Sequence, residues 1–187
     1  MICIIDCGSK KTKNFSNILN ELNIPNKIIQ LDEINESNIK NFSGIIISGA
    51  PIILTKINKQ KYLDTFKFIK KIDIPILGIC FGHQIIGLLF GSKINLGKEI
   101  INKEQIEIVN NDIIFSKLEN RSLFQENHCE FINLPKEFVL LAKSHSCDNE
   151  AMKHIRKKIY GLQFHPEVSG LNGKIILENF VKICDEK

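Results

Sequence analysis

Three side chains that could carry out acyl transfer stand in suggestive local contexts. Gly78-Ile79-Cys80-Phe81-Gly82 has the form G-x-C-x-G. The serine version of this pattern is the nucleophile elbow, a tight strand-to-helix turn that pushes its central side chain into the open. The physics carries over to a thiol. Flanking glycines relieve crowding, the N–H of Phe81 can face an oxyanion, and the start of the following helix favours a thiolate. A cysteine nucleophile wants a base, and the base wants an orienting group. Gln163-Phe164-His165-Pro166-Glu167 offers both. In extended chain, residues two apart point to the same side, so His165 and Glu167 can share a face. The pentapeptide by itself favours a nucleophile at Cys80 over a buried thiol in a glycine-rich turn, whereas His165 and Glu167, taken singly, read as a core histidine and a solvated acid. Taken together they read as a Cys-His-Glu triad.

Such a triad must be held by strand ends and a helix start, and the chain offers them. Ile2 to Ile5 is a short apolar run stopped by Asp6-Cys7-Gly8-Ser9, hence strand then loop. Phe15, Ile18, Leu19 and Leu22 form one helical stripe. Lys27 to Leu31 reads as a second strand. Gly44 to Ser48 reads as a third, buried on both faces because its isoleucines are continuous. Tyr62, Leu63, Phe66 and Ile69 mark another helix. A strand over Pro75 to Ile79 leads into the elbow, and a helix from about Gly82 to Phe90 leads out of it. Further strands are expected near Lys93 to Leu96, Gln105 to Val109, Phe138 to Ala142 and Lys158 to Phe164, with a last helix after Gly173. Strands alternating with helices give βαβ units. The expected fold is α/β: a single three-layer domain over residues 1–187, with a mostly parallel central sheet and helices on both faces.

Composition narrows the function classes. The chain has 187 residues, 43% hydrophobic and 25% charged, ordinary for a globular domain. Its net charge of +4 comes from 25 basic residues, nearly all lysine and scattered, which is no nucleic-acid footprint. None of the six cysteines forms a C-x-x-C pair, so zinc-ribbon and thioredoxin readings fail. His145 and Cys147 make an unconvincing H-x-C pair, and no metal site is expected. Ile74 to Gly91 carries no formal charge, but Pro75, its glycines and His83-Gln84 favour strand, turn and helix over a membrane span. The start, MICIIDCGSK, lacks the pattern of a signal peptide, and a reducing cytoplasm is the expected location.

GICFGHQ at Gly78 to Gln84 and YGLQFHPEV at Tyr160 to Val168 resemble the class I (triad) glutamine amidotransferases, whose fold is flavodoxin-like. IIDCGS near the N-terminus, IIISGAP at Ile45 to Pro51 and GKIILENF before Cys184 extend the likeness almost end to end. Within the class, Ile132 to His154 and FHPEV look most like the free glutaminase subunit of two-subunit GMP synthetases. A sister amidotransferase subunit, such as that of anthranilate synthase, and a catalytically dead flavodoxin-like regulatory module are the alternatives.

The resemblance implies hydrolysis of L-glutamine through a thioester on Cys80, with His165 as base and acid and Glu167 steadying it. It implies an oxyanion hole from Phe81 and the Gly49-Ala50 turn, and glutamine contacts from Gly82 and Gln84. It also implies a heterodimer in which an ATP-pyrophosphatase (synthetase) partner converts XMP to GMP by amination. ATP and magnesium would bind that partner, this chain would hold no cofactor, and no nucleic acid or membrane would be involved. No ATP-pyrophosphatase segment is present up to Lys187. Several positions depart from the family. Ala50 stands where the family turn has glycine. It keeps the N–H but disfavours positive φ, so the hole should need partner docking or a slightly different backbone. Lys10-Lys11 replace Gln-Tyr, and the segment after FHPEV is the short Ser169-Gly170-Leu171-Asn172-Gly173. The S-H-x-D element linked to partner coupling appears as Asn127-His128-Cys129-Glu130, making His128 and Glu130 candidates for coupling.

Overall fold

A computed structural model describes residues 1–186, the side chains of residues 36 and 37 excepted. Strands β1 (Ile2–Asp6), β2 (Asn26–Gln30), β3 (Gly44–Ile47), β4 (Ile76–Ile79) and β11 (Ile159–Leu162) form the parallel heart of a nine-stranded sheet, in the order β2-β1-β3-β4-β11. β10 (Ala151–His154), β9 (Phe138–Lys143), β6 (Lys103–Ile108) and β7 (Ser122–Gln125) extend it by antiparallel pairing. β5 (Ile94–Ile100) and β8 (His128–Ile132) pair as a separate two-stranded ribbon.

The βαβ core is where the apolar patterning places it. β3 and β4 are buried at every position, as continuous apolar runs in a doubly covered sheet should be. One face is covered by α1 (Thr12–Glu21) and α5 (Gly170–Asp185), through Phe15, Leu19, Ile176, Leu177 and Phe180. The other is covered by α3 (Gln60–Phe66) and α4 (Phe81–Leu89), through Tyr62, Phe66, Ile85 and Ile86. A short α2 (Glu36–Ile39) precedes β3. β7, β8 and β10 are strands that the sequence pattern does not predict. Two are only four residues long, and polar residues interrupt each pattern: Gln125, His128 and Glu130, Lys153 and His154. The uncharged stretch from Ile74 to Gly91 is β4, the elbow and α4, and no helix among the described residues is long and apolar enough to cross a membrane.

β1, β3, β4 and β11 are neighbours, so their carboxyl ends form one edge. Ligands of open α/β sheets bind at such an edge. Asp6-Cys7-Gly8, Ser48-Gly49, Cys80 and Gln163 to His165 all leave the sheet there. α4 can start immediately after β4 only because Gly82 packs against β3: a Cβ on it would lie 2.6 Å from the Ile47 carbonyl oxygen. That contact is with backbone and cannot relax cheaply. Gly82→Ala should therefore cost on the order of 1–3 kcal/mol, read as a lower denaturant midpoint. An unchanged midpoint would mean that α4 is not held this tightly.

Candidate active site

The elbow is strained, and the strain sits on the nucleophile candidate. Cys80 adopts φ 50° and ψ −100°, a region that a residue with a Cβ avoids. Such a conformation costs on the order of 1–3 kcal/mol and persists only where its surroundings fix it. Here the Cys80 N–H donates to Leu162 O on β11 at 2.8 Å, and the Cys80 carbonyl accepts from Gln84 N at 3.0 Å. The thiol thus projects from the sheet edge directly before the first residue of α4.

His165 follows β11 on the adjacent strand. Its N–H bonds to Gln125 O at 2.9 Å, while Ser169 Oγ donates to its carbonyl at 2.7 Å and accepts from Gln125 N at 2.9 Å. The short post-motif segment therefore clamps His165 to β7. The imidazole Nδ1 lies 2.7 Å from Glu167 Oε1, and both side chains are almost fully buried. Nε2, the other ring nitrogen, has no hydrogen-bond partner among the described residues. Burial disfavours the charged ring. Interactions with Cys80 and Glu167 outweigh it and push the His165 pKa up to about 10. An imidazolium held between a sulfur and a carboxylate has this signature.

Gly49 shows how closely these groups meet. A Cβ there would lie 3.1 Å from His165 Cε1 and 3.8 Å from Cys80 Cβ. The glycine is favoured sterically rather than conformationally, for neither Gly49 nor Ala50 has positive φ. Alanine at position 50 is thus compatible with the turn as built, and the family's second glycine is not needed for its backbone. Ser48 Oγ fixes the turn, accepting from Cys7 N at 2.9 Å and donating to Gly49 O at 2.9 Å.

Two connected hollows open at Cys80. One, of about 310 Å³, is lined by Lys10, Lys11, Ala50, Pro51, Cys80 and His165. The other, of about 260 Å³, lies among Ala50, Cys80, Phe81, Gln84, Cys129 and Glu130. Asn127 borders both, and its carbonyl faces the Cys80 sulfur at 3.8 Å. Gln84 lines the second hollow, with its amide nitrogen donating to Glu130 O at 2.9 Å. Gln163, which the sequence motifs do not single out, is fully buried and donates from Nε2 to Cys80 Sγ at 3.6 Å. Two-residue periodicity could have found it: it shares a strand face with His165, beside the strand that ends in Cys80.

The remaining candidates sort differently. The carboxylate of Glu130 accepts from Leu54 N and Thr55 N, each at 2.7 Å, and so anchors the loop that walls the second hollow. His128 is buried, with Nδ1 3.1 Å from Glu130 O. His83 neither lines the cleft nor faces solvent. It is fully buried against Gly161, and burial lowers its pKa to about 3. His154 is also buried, accepting from Arg156 N and Lys157 N and packing against Phe90 and Phe138. The neighbouring lysines are structural: Lys157 caps the carbonyls of Lys70 and Ile72, and Lys158 that of Ile183. Cys3, Cys7 and Cys184 are apolar filling, their thiols raised to about 12 by burial.

A strained thiol, a buried imidazole and a supporting carboxylate at the carboxyl edge of an α/β sheet are the groups that cysteine acyl transfer of the triad type would need. The family described as class-I glutamine amidotransferase matches residues 3–184, and the chain belongs to that family. Its relatives include a glutamine-hydrolyzing GMP synthase subunit of Pyrococcus abyssi, 38% identical over all of both chains. The protein of the same name from Methanosphaera stadtmanae is 40% identical over 98% of each chain. A crystal structure from Thermoplasma acidophilum, of a protein provisionally described as a GMP synthase subunit, superposes with a TM-score of 0.90. It is 33% identical and is matched over 98% of this chain and 93% of its own.

The elevated pKa of His165 gives a sign that can be checked. The folded value of about 10 lies above the ordinary 6.5, so the ring should stay cationic through neutral pH. Its own contribution to stability is complete below pH 6.5 and is lost as pH rises through about 10. NMR titration of the ring should show this high pKa, and Cys80→Ala should drop it toward the ordinary range. A wild-type ring that titrates near 6.5 would contradict the ion pair.

Proposed function

We propose that this chain hydrolyses L-glutamine to glutamate and ammonia, and serves as the glutaminase subunit of a two-part GMP synthetase. The observation that carries the reading is the buried His165–Glu167 contact beside the strained Cys80. The family membership and the names of the relatives support glutamine as donor and GMP synthesis as destination.

In this reading the Cys80 thiolate attacks the side-chain amide carbon of glutamine. The negative oxygen of the tetrahedral intermediate takes hydrogen bonds from the backbone of Phe81 and of the Gly49-Ala50 turn. His165 gives its proton to the departing nitrogen, the C–N bond breaks, ammonia leaves, and a γ-glutamyl thioester stays on Cys80. Water, deprotonated by His165, attacks the thioester and releases glutamate, which restores the thiolate–imidazolium pair. Glu167 positions the ring and balances its charge throughout. Gly82 lets the helix start sit against β3 beside the substrate's place, and Gln84 helps hold the glutamine. Gln163 donates a hydrogen bond to the sulfur.

The ammonia would pass to an ATP-pyrophosphatase partner that binds ATP and magnesium and aminates an adenylated XMP. The chemistry assigned to this chain needs no cofactor of its own. Ammonium is the dominant form at neutral pH and is not a nucleophile, so a sealed route between subunits is part of the proposal. Glu130 reaches that route through the loop at Leu54 and Thr55, whose N–H groups its carboxylate accepts from and where docking would reshape the cleft.

Two variants test the roles. In the reconstituted complex, Cys80→Ala should abolish glutamine-dependent GMP formation and leave ammonia-dependent formation intact. Surviving glutamine use would remove Cys80 from the reaction. Glu167→Gln should lower kcat by roughly two to four orders of magnitude with little change in KM. An unaltered kcat would reduce Glu167 to a scaffold residue.

A further inference from the structure

Beside the cleft, and bordering the second hollow through His128, lies a second cluster that the glutaminase chemistry does not use. Glu126 sits in the β7–β8 turn, His128 opens β8, and Glu150 precedes β10. One ligand atom from each lies within 4.8 Å of the others, and all three residues are buried. Both oxygens of Glu126, Nε2 of His128 and Oε2 of Glu150 have no hydrogen-bond partner among the described residues. Buried polar atoms are nearly always paired, and four orphans turned on one point need a common explanation.

Hydrogen bonds around the cluster determine what fills it. His128 Nδ1 faces the Glu130 carbonyl at 3.1 Å, and a carbonyl only accepts, so the proton sits on Nδ1. Nε2 then presents a lone pair to Glu126 Oε2, 3.4 Å away. Glu150 is oriented in the same manner: Ser144 Oγ donates to its Oε1 at 2.6 Å and leaves Oε2 facing inward. Lone pairs on an imidazole and two carboxylates thus converge with nothing electropositive between them. Histidine donating its far nitrogen to a carbonyl is the usual support of a metal ligand. Ligand bonds of about 2.0–2.1 Å at tetrahedral angles place ligand atoms roughly 3.3 Å apart.

We propose that Glu126, His128 and Glu150 bind one divalent transition-metal cation of the zinc type. Two carboxylates and one imidazole suit zinc, and their two negative charges neutralise it. The cation would tie the β7–β8 turn, whose Asn127 carbonyl faces Cys80, to the start of β10. The sequence does not mark this site, because Glu126 and His128 stand two residues apart but Glu150 comes from a distant segment. The site is independent of the reaction assigned to the triad.

The test is metal binding by the full chain. Titrated with Co(II) and Zn(II) after chelator treatment, it should take up one equivalent. The cobalt form should show the visible bands of a low-coordinate nitrogen–oxygen site and no thiolate charge-transfer band. Glu126→Gln and Glu150→Gln should each weaken binding at least tenfold, and His128→Gln should abolish it, with circular dichroism confirming the fold. Cys80→Ala should bind as the wild type does. Thiolate charge transfer, undiminished binding in all three variants, or no binding by the wild type would overturn the site. A shared proton is the rival. It predicts no metal uptake and an unchanged or higher melting temperature for Glu150→Gln, whose amide would supply the missing hydrogen.

Discussion

The arrangement depends on a thiol held where the backbone resists placing it. Cys80 stands at φ 50° with its N–H tied to β11 and its carbonyl to α4. Releasing the elbow would relieve the strain and turn the sulfur away from His165. Much of the surrounding sequence serves to prevent that. The isoleucines of β3 and β4, the glycine at 82 and the hydrogen bond to Leu162 are all consequences of holding one side chain at one edge. The imidazole adds an electrostatic constraint to the geometric one, since its charged form is stable in a buried position only while sulfur and carboxylate flank it.

The division of labour between the two halves of the sheet follows from this. The parallel strands supply rigid carboxyl ends, from which Ser48-Gly49, Cys80 and His165 emerge as neighbours. The antiparallel extension and the β5–β8 ribbon supply the lid side. β7 binds the backbone of His165, the turn after it brings Asn127 to the sulfur, and β8 carries Glu130 to the loop at Leu54. The parallel part builds the reactive centre, and the extension shapes access to it. A partner that docks on the extension would therefore act on the cleft without touching the triad.

The readable and unreadable parts of the sequence divide along the same line. Continuous isoleucine runs and the stripe from Phe15 to Leu22 announce the βαβ core, because burial on one face or two leaves a periodic trace. The G-x-C-x-G turn and the His-x-Glu spacing are legible because both are local. The short strands β7, β8 and β10 are not, since polar residues that serve the interior break their alternation. His83 and His154 are both buried. Their surroundings are built by strands distant in sequence, which no local pattern encodes. Ala50 looks like a defect beside the family turn, yet the backbone there needs no positive φ, and the glycine that matters is Gly49, pressed against His165.

The central claim is that Cys80 is the nucleophile and the other five cysteines are not. Treating the full chain with a diazoketone analogue of glutamine and mapping the adduct by mass spectrometry tests it most directly. One adduct per chain is expected, confined to the peptide that carries Cys80, with labelling slowed by excess glutamine. An adduct on Cys129 or another cysteine, or a chain left unlabelled, would contradict it.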